Sequence, residues 1–288
     1  MHKVPADAGN HSTDFNIIVL TMPIPLVQSN SGPSAQPANP FAAQRAKVEK
    51  NLGNVKKAIA VHCGKGGVGK STFAVNLAVA LSKGGKKVGL LDADVDCPSC
   101  HALMGMRGRA LLDDEQRIVP LSAHNVKFLS AGNMVDDANS ANIMRGPIMF
   151  KLISDMLSNA AWGGLDYLVI DLPPGTGDNP LTIMQLVPLH GIIIVTQPQE
   201  ICLTDAKKSA NMAKRMGVKV LGVVENMSGS VFSAGGGERV AGLFEVPFLG
   251  SIPLQSNIRK FSDKGIPAVL EDGKLLERFR SIIKSALA

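Results

Sequence analysis

The nine residues GKGGVGKST, Gly64 to Thr72, stand between an apolar run, AIAVHC (58–63), and a helical stretch, FAVNLAVALSKGG. Glycines at 64, 66, 67 and 69 let backbone N–H groups turn inward around an anion, and the helix start adds a favourable dipole. The order G-x-x-x-x-G-K-[ST] in a strand–loop–helix context is that of a phosphate-binding loop. Gly64, Lys65, Gly66, Gly67, Val68, Gly69, Lys70, Ser71 and Thr72 are therefore the expected cradle for a nucleotide polyphosphate. Lys70 is expected to bridge the outer phosphates and the Ser71 hydroxyl to ligate Mg²⁺. A chain that carries this loop is confined to an open α/β sheet that binds its ligand beyond the carboxyl ends of the strands.

The rest of the chain agrees with that constraint. Strand-like runs recur at KVGLLDAD (87–94), VKFLSAG (126–132), DYLVIDLPP (166–174), GIIIVTQP (191–198) and VLGVVENM (220–227), with helical stretches between them. Continuous β-branched runs of this kind predict a parallel sheet covered on both faces. LLDDEQRIV, between Ala110 and Pro120, predicts a hairpin turning near Asp113–Glu115. The fold class is α/β, doubly wound and mostly parallel. Residues 28–44 are rich in Ser, Pro, Asn and Ala, which is linker composition. The expected organisation is a disordered tail over 1–44, a helix from Arg45 to about Lys57, and one ATPase domain over 45–288.

With 45% hydrophobic and 19% charged residues the chain is of globular type. A net charge of +6 permits acidic partners, but aromatics make up only 4% and no basic cluster is interleaved with them, so nucleic acid is not an expected partner. The early apolar run FNIIVLTMPIPLV (15–27) is short for a membrane span and contains two prolines. Four cysteines, at 63, 97, 100 and 202, do not form a disulfide framework, which favours a reducing cytoplasm.

Two further loops are expected to reach the outer phosphate. Asp92 and Asp94 close the strand in LLDADVDCPSC, where a carboxylate can orient an attacking water or hold Mg²⁺ through water. Asp92 is the first choice for the water. Asp96 stands between a switch role and a helix cap. In LVIDLPPGTGD, Asp171 suits the Mg²⁺ water shell, and Pro173, Pro174, Gly175 and Gly177 make a loop able to change shape when the phosphate leaves.

Lys65 is additional to a standard phosphate loop. It cannot easily fold back onto phosphates that its own loop encloses, so it either points to a nucleotide held by a second subunit or is a solvated lysine. The pattern K-G-G-V-G-K-S resembles the deviant Walker-A family of P-loop ATPases, to which MinD, ParA and the nitrogenase iron protein belong. DLPPGTGD narrows the resemblance to the Mrp/ApbC branch, whose members carry iron–sulfur clusters. It is supported by R-G-P (Arg145–Pro147), P-Q-E (Pro198–Glu200), E-N-M-S (Glu225–Ser228) and G-S-I-P-L (Gly250–Leu254). The likeness runs from about Arg45 to the C-terminus. It implies a nucleotide-sandwich homodimer in which Lys65 acts across the interface. It also implies ATP as the nucleotide, with Asn226 and the loop around Pro253 at the adenine, slow hydrolysis, and apoprotein acceptors or assembly scaffolds as partners.

The resemblance fails at one place. Cluster-carrying relatives follow E-N-M-S with a C-x-x-C pair, so that two pairs hold a bridging [4Fe–4S] cluster. Here the segment is ENMSGSVFSAGGGERV, with Phe232 and Gly235, or Ser233 and Gly236 after a one-residue shift, at those positions, and no cysteine follows Cys202. Phe and Gly cannot ligate iron, and Ser is a poor replacement for a soft thiolate. Cys97-Pro98-Ser99-Cys100 is another C-x-x-C, beside His101 in the Asp92 loop. Three readings stand for it: cluster or metal ligands, a redox pair, and small packed residues. An ATP-switched adaptor without a cluster is therefore the alternative function. A third, a MinD-like membrane-cycling ATPase, rests on the basic amphipathic segment KLLERFRSIIKSALA (274–288). That segment suits docking on its own sheet better, and a membrane partner is not expected.

Overall fold

The computed structural model describes residues 40–134 and 146–288. In chain order the elements are α1 (Pro40–Asn51), β1 (Val55–His62), α2 (Lys70–Lys83), β2 (Val88–Asp92), α3 (Cys100–Leu103), β3 (Leu111–Leu112), β4 (Ile118–Val119), β5 (Leu121–Ala123) and β6 (Val126–Ser130). They continue with α4 (Gly146–Ser158), β7 (Leu165–Asp171), α5 (Asp178–Leu186), β8 (Leu189–Thr196), α6 (Glu200–Arg215), β9 (Val220–Ser228), α7 (Gly236–Leu243), β10 (Phe248–Pro253), α8 (Ser256–Ser262) and α9 (Gly273–Leu287).

The main sheet runs β10-β9-β8-β1-β7-β2-β6-β5. Every pairing in it is parallel except the edge strand β5, which runs antiparallel to β6. Strand alternation divides the core into two layers. Ile59 and Val61 of β1 pack with Phe73 and Leu77 of α2 and with Leu275 and Phe279 of α9. Ala58 and Ala60 face the opposite layer, with Val48 of α1, Ile153 of α4 and Ile183 of α5. Both faces are covered, which is why these strands are continuously apolar. β1 lies between β7 and β8, where the strand order turns back, so the loop after β1 sits at the switch point that α/β sheets use for ligands.

The doubly wound, mostly parallel sheet expected from the sequence is present. So is the hairpin: Leu111 pairs with Val119 and Leu112 with Ile118, and the Asp113 carboxylate accepts from the Glu115 and Arg117 amides at the turn. The first helix differs. It ends at Asn51 rather than near Lys57, because Gly53 and Asn54 break it and Val55 already pairs with Leu165. Residues 40–44, expected in the tail, belong to α1; residues 1–39, including the run 15–27, lie outside the described residues. β10 was not anticipated, because Gly250 and Pro253 made its sequence resemble a loop. Among the described residues no helix is long and apolar enough to cross a membrane.

Candidate functional site

The phosphate loop joins β1 to α2. Gly67 and Gly69 have φ near +85° (85° and 84°), the left-handed region that glycine enters without strain. A side chain at Gly69 would also collide with the Asn226 amide, and one at Gly64 with the backbone of Asp205 in α6. Gly64, Gly66 and Gly67 line the open side of the loop with Lys65, while Val68 is buried beneath it. The thiol of Cys63 donates to the Lys65 carbonyl at 2.7 Å, which pins the backbone of the signature lysine. The Lys65 side chain itself is exposed. It makes no ion pair among the described residues.

Lys70 starts α2 and points inward. Its Nζ donates to Asp171 Oδ1 at 2.7 Å and to Ser71 Oγ at 3.4 Å. The lysine is 6% exposed and Asp171 wholly buried. Asp171 ends β7 in register with Asp92 at the end of β2, so two carboxylates stand side by side at the sheet edge. Burial, and then the charge of Asp171, push the Asp92 carboxyl above its ordinary range, against hydrogen bonds and Lys70 that pull it down. Lys70 is shifted upward because the attraction and hydrogen bond of Asp171 outweigh the larger opposing effect of its burial. A buried lysine shared by two carboxylates leaves a deficit of positive charge, which suits a hard cation with oxygen ligands. Ser71, Asp171 and Asp92 are the residues that fit one.

The structure separates the two carboxylates expected in the first switch. Asp92 Oδ2 accepts from the amides of Ser99 and Cys100 and from Ser130 Oγ, each at 3.0 Å, and Oδ1 accepts from the Asp94 amide at 3.2 Å. Asp92 is thus the cap of α3 and the clamp of its loop, the role that the sequence had set against a switch role for Asp96. Asp96 is exposed and caps nothing. Asp94 spends one oxygen on the Cys97 amide at 3.3 Å and keeps partial access to solvent. Burial raises its carboxyl above the ordinary range, opposed by Lys70.

Cys97 and Cys100 do not present themselves as a pair. Cys100 is wholly buried, and its thiol donates to Asp171 Oδ2 at 3.4 Å, so that Asp92, Cys100 and Asp171 form one cluster with ligand atoms within 4.8 Å of one another. Cys97 is exposed. Burial, then the charges of Asp92 and Asp171, push the Cys100 thiol well above the usual range. Cys63 and Cys202 are buried.

Asn226 and Pro253 both line a cleft of about 220 Å³ beside the loop, together with Gly69, Phe73, Leu254 and Phe279. Asn226 Nδ2 donates to the Val68 carbonyl at 2.8 Å, tying the end of β9 to the loop. Gln197, which the sequence reading passed over, does the same from β8: its Nε2 donates to the Gly67 carbonyl at 3.3 Å and contacts Met227 Sδ at 2.7 Å. Its signal was its place, one residue beyond a strand that neighbours β1. Glu225 was also missed as a structural anchor. It is 1% exposed and accepts from the amides of Gly235 and Gly237, which fixes the segment where cysteines were sought. Of the R-G-P match, Arg145 lies outside the described residues. The apolar face of α9 is spent on the core: Leu275, Phe279 and Ile282 are each 2% exposed, and Phe279 stacks on Phe73 with centroids 5.3 Å apart.

Residues 54–287 match the ParA family model described as NUBPL iron-transfer P-loop NTPase. The chain is 45% identical over 256 residues to the iron–sulfur cluster carrier protein of Methanocaldococcus jannaschii, spanning 85% of this chain and 88% of that protein. It is 43% identical over 238 residues to the protein of the same name from Escherichia coli, spanning 79% of this chain and 64% of the relative. Among solved structures it is similar to a nucleotide-binding protein from Archaeoglobus fulgidus in complex with ADP, with a TM-score of 0.69, 36% identity, and coverage of 79% of this chain and 94% of that one. It is also similar to the cell division ATPase MinD of Pyrococcus furiosus, with a TM-score of 0.65, 26% identity, and coverage of 80% and 98%. With the family model matched over residues 54–287 and these identities holding over most of its length, the chain belongs to the ParA family of NUBPL-type iron-transfer P-loop NTPases.

Proposed function

We propose that this protein binds and slowly hydrolyses ATP as a homodimer, and uses that switch to carry iron–sulfur clusters to apoproteins or to assist their assembly. The observation that carries the ATPase part is the buried Lys70–Asp171 pair beside Asp92, directly under a glycine cradle. Asp171 holds Lys70 in the structure, and phosphates in the cradle would give that lysine a second set of anionic partners. Mg²⁺, held by Ser71 and through water by Asp171, supplies charge neutralisation at the phosphates. Asp94 is the better candidate to orient the attacking water, because it accepts one hydrogen bond, from the Cys97 amide, where Asp92 accepts four. Lys65 is exposed and makes no ion pair among the described residues, as suits a residue that serves a second subunit's nucleotide. Asn226 favours adenine: with Nδ2 on Val68, its Oδ1 remains for a 6-amino donor, whereas guanine offers an acceptor there.

The cargo is supported by the family and by relatives named iron–sulfur cluster carrier proteins. Its ligands differ from the pattern expected of that group. Of four thiols per chain, only that of Cys97 is exposed, so a dimer offers one such thiol from each subunit. A cluster held by both Cys97 side chains takes its remaining ligands from an acceptor protein or a small thiol. The burial of Cys63, Cys100 and Cys202 favours a second reading, an ATP-switched adaptor that handles no cluster itself. The membrane-cycling reading has no such support, because the apolar face of α9 is already covered.

The test is anaerobic iron–sulfur reconstitution, with iron counted and transfer to an apoprotein assayed, in wild type, Cys97→Ser and Cys100→Ser, alongside ATP turnover in wild type and Asp94→Asn. Iron retained by wild type and Cys100→Ser but lost in Cys97→Ser supports the carrier reading; no iron in any variant, with turnover intact, leaves the adaptor.

A further inference from the structure

His62 is the last residue of β1, immediately before Cys63 and the phosphate loop. It is 0% exposed, and neither ring nitrogen has a hydrogen-bond partner. Buried polar groups are nearly always paired, and one left unpaired costs stability that something must explain. Alternation along β1 puts the ring on the face of Ala58 and Ala60, opposite to that of Val61. On that face it sits under the loop that joins β7 to α5.

That loop is tied to the strand on either side of His62. The Leu172 amide donates to the Val61 carbonyl at 3.0 Å, and the Gly175 amide donates to the Cys63 carbonyl at 3.3 Å. Between these bonds, the carbonyls of Pro173 and Gly175 lie close enough to act on the proton affinity of the ring, yet neither makes a hydrogen bond to it. Burial, and then the charge of Lys70, push the imidazole down to about 3, so at neutral pH it is uncharged and carries one N–H. Gly175 has φ of 88°, while Pro174, Thr176 and Gly177 are exposed. The segment has a glycine hinge directly over the ring and few contacts outside.

We propose that His62 is a positioning residue for the loop Leu172–Gly177, its ring N–H donating to a main-chain carbonyl at Pro173 or Gly175 when the loop closes on the terminal phosphate. In the structure that donor is orphaned; a loop drawn in over the ring would pair it. The unpaired ring thereby favours closure by removing stability from the open state. This rests on the reading of that loop as the one that meets the terminal phosphate.

The test uses full-length protein with ¹⁵N-labelled histidine, observed by NMR without nucleotide, with Mg-ADP and with a non-hydrolysable Mg-ATP analogue. His62→Asn, which keeps a short N–H donor, and His62→Leu, which fills the space with apolar atoms, accompany it. The expected result is a His62 N–H that is shifted downfield and protected from exchange only with the ATP analogue. His62→Leu is expected to melt higher than wild type without nucleotide, since an unpaired polar ring is gone, and to lose about fivefold to tenfold in kcat with KM little changed. His62→Asn is expected to recover part of kcat. A His62 N–H that is the same in all three states, or a His62→Leu variant with wild-type kcat, overturns the assignment. ATP binding without turnover in the wild type would instead overturn the ATPase reading, and the response of the His62 N–H to the analogue would still decide this proposal.

Discussion

Replacing Lys70 with Met tests the charge balance on which the site is built. The ammonium faces two buried carboxylates, and the pair it makes with Asp171 is 6% and 0% exposed. Met fills a similar volume without the charge, so Asp92 and Asp171 are left as neighbouring buried anions. Breaking a buried pair by removing one partner costs about 3–5 kcal/mol. With a urea slope of about 3 kcal/mol per molar, the upper end of the usual range and suited to a chain of this size, the unfolding midpoint of the nucleotide-free protein falls by roughly 1–2 M. The dependence on pH has a defined sign. Without Lys70 the Asp92 carboxyl, already raised by burial and by the charge of Asp171, lies still further above its unfolded value of about 3.9. Between those values the native state holds protons that the unfolded chain has released, so stability falls as pH rises. The deficit of Lys70→Met is therefore largest near pH 8 and shrinks toward pH 5, by about 1.4 kcal/mol for each unit of upward shift. Asp171→Asn, which removes one of the two anions and leaves Lys70 beside Asp92, is expected to cost less and to flatten the slope. Urea titrations followed by far-UV circular dichroism at pH 5, 6, 7 and 8 measure all of this. A Lys70→Met midpoint equal to wild type at pH 8, or a deficit that does not shrink in acid, would refute the reasoning.

Three other perturbations follow from particular contacts. Gly69→Ala places a methyl group against the Asn226 amide at a residue with φ of 84°, so thermal melting should show a loss from both strain and clash; adding Asn226→Ala should relieve the clash but leave about 1–2 kcal/mol of left-handed strain. Ellman titration of the native, nucleotide-free protein should find one fast thiol per chain, assigned to Cys97 by its loss in Cys97→Ser, because burial covers the other three and pushes the Cys63 thiol up to about 11; unfolding should release all four. Phe279→Ala should cost about 3–5 kcal/mol, lowering Tm by roughly 6–20 °C, because it removes the ring stacked on Phe73 and opens a wall of the cleft beside the loop.

The phosphate loop was legible because its signal is local: glycines, a lysine and a hydroxyl at fixed offsets between a strand and a helix. The parallel sheet was legible for a similar reason, since each buried strand declares itself by continuous apolar residues. What did not show was anything decided by contacts between distant residues. Asp92 and Asp94 are two apart and chemically identical, so nothing local distinguishes them. Only the fold brings Ser130, 38 positions away, and the amides of Ser99 and Cys100 onto Asp92. The same holds for Cys97 and Cys100. Their spacing left ligands, a redox pair and simple packing open, and only the fold decides where each goes: the start of α3 turns one thiol inward to Asp171, 71 positions away, and leaves the other in solvent. His62 is the extreme case. As the last residue of a buried strand it looked like part of the sheet, and its distinction lies in hydrogen bonds that are missing. Sequence spacing reveals chemistry that one segment can build alone. Where an acid or a thiol serves two segments, its role is set by which oxygen, nitrogen or sulfur remains unspent after folding. On that accounting Asp92, with three hydrogen bonds on one oxygen and a fourth on the other, is committed to holding its loop, whereas Asp94 accepts one bond, from the Cys97 amide, and is the freer carboxylate of the two.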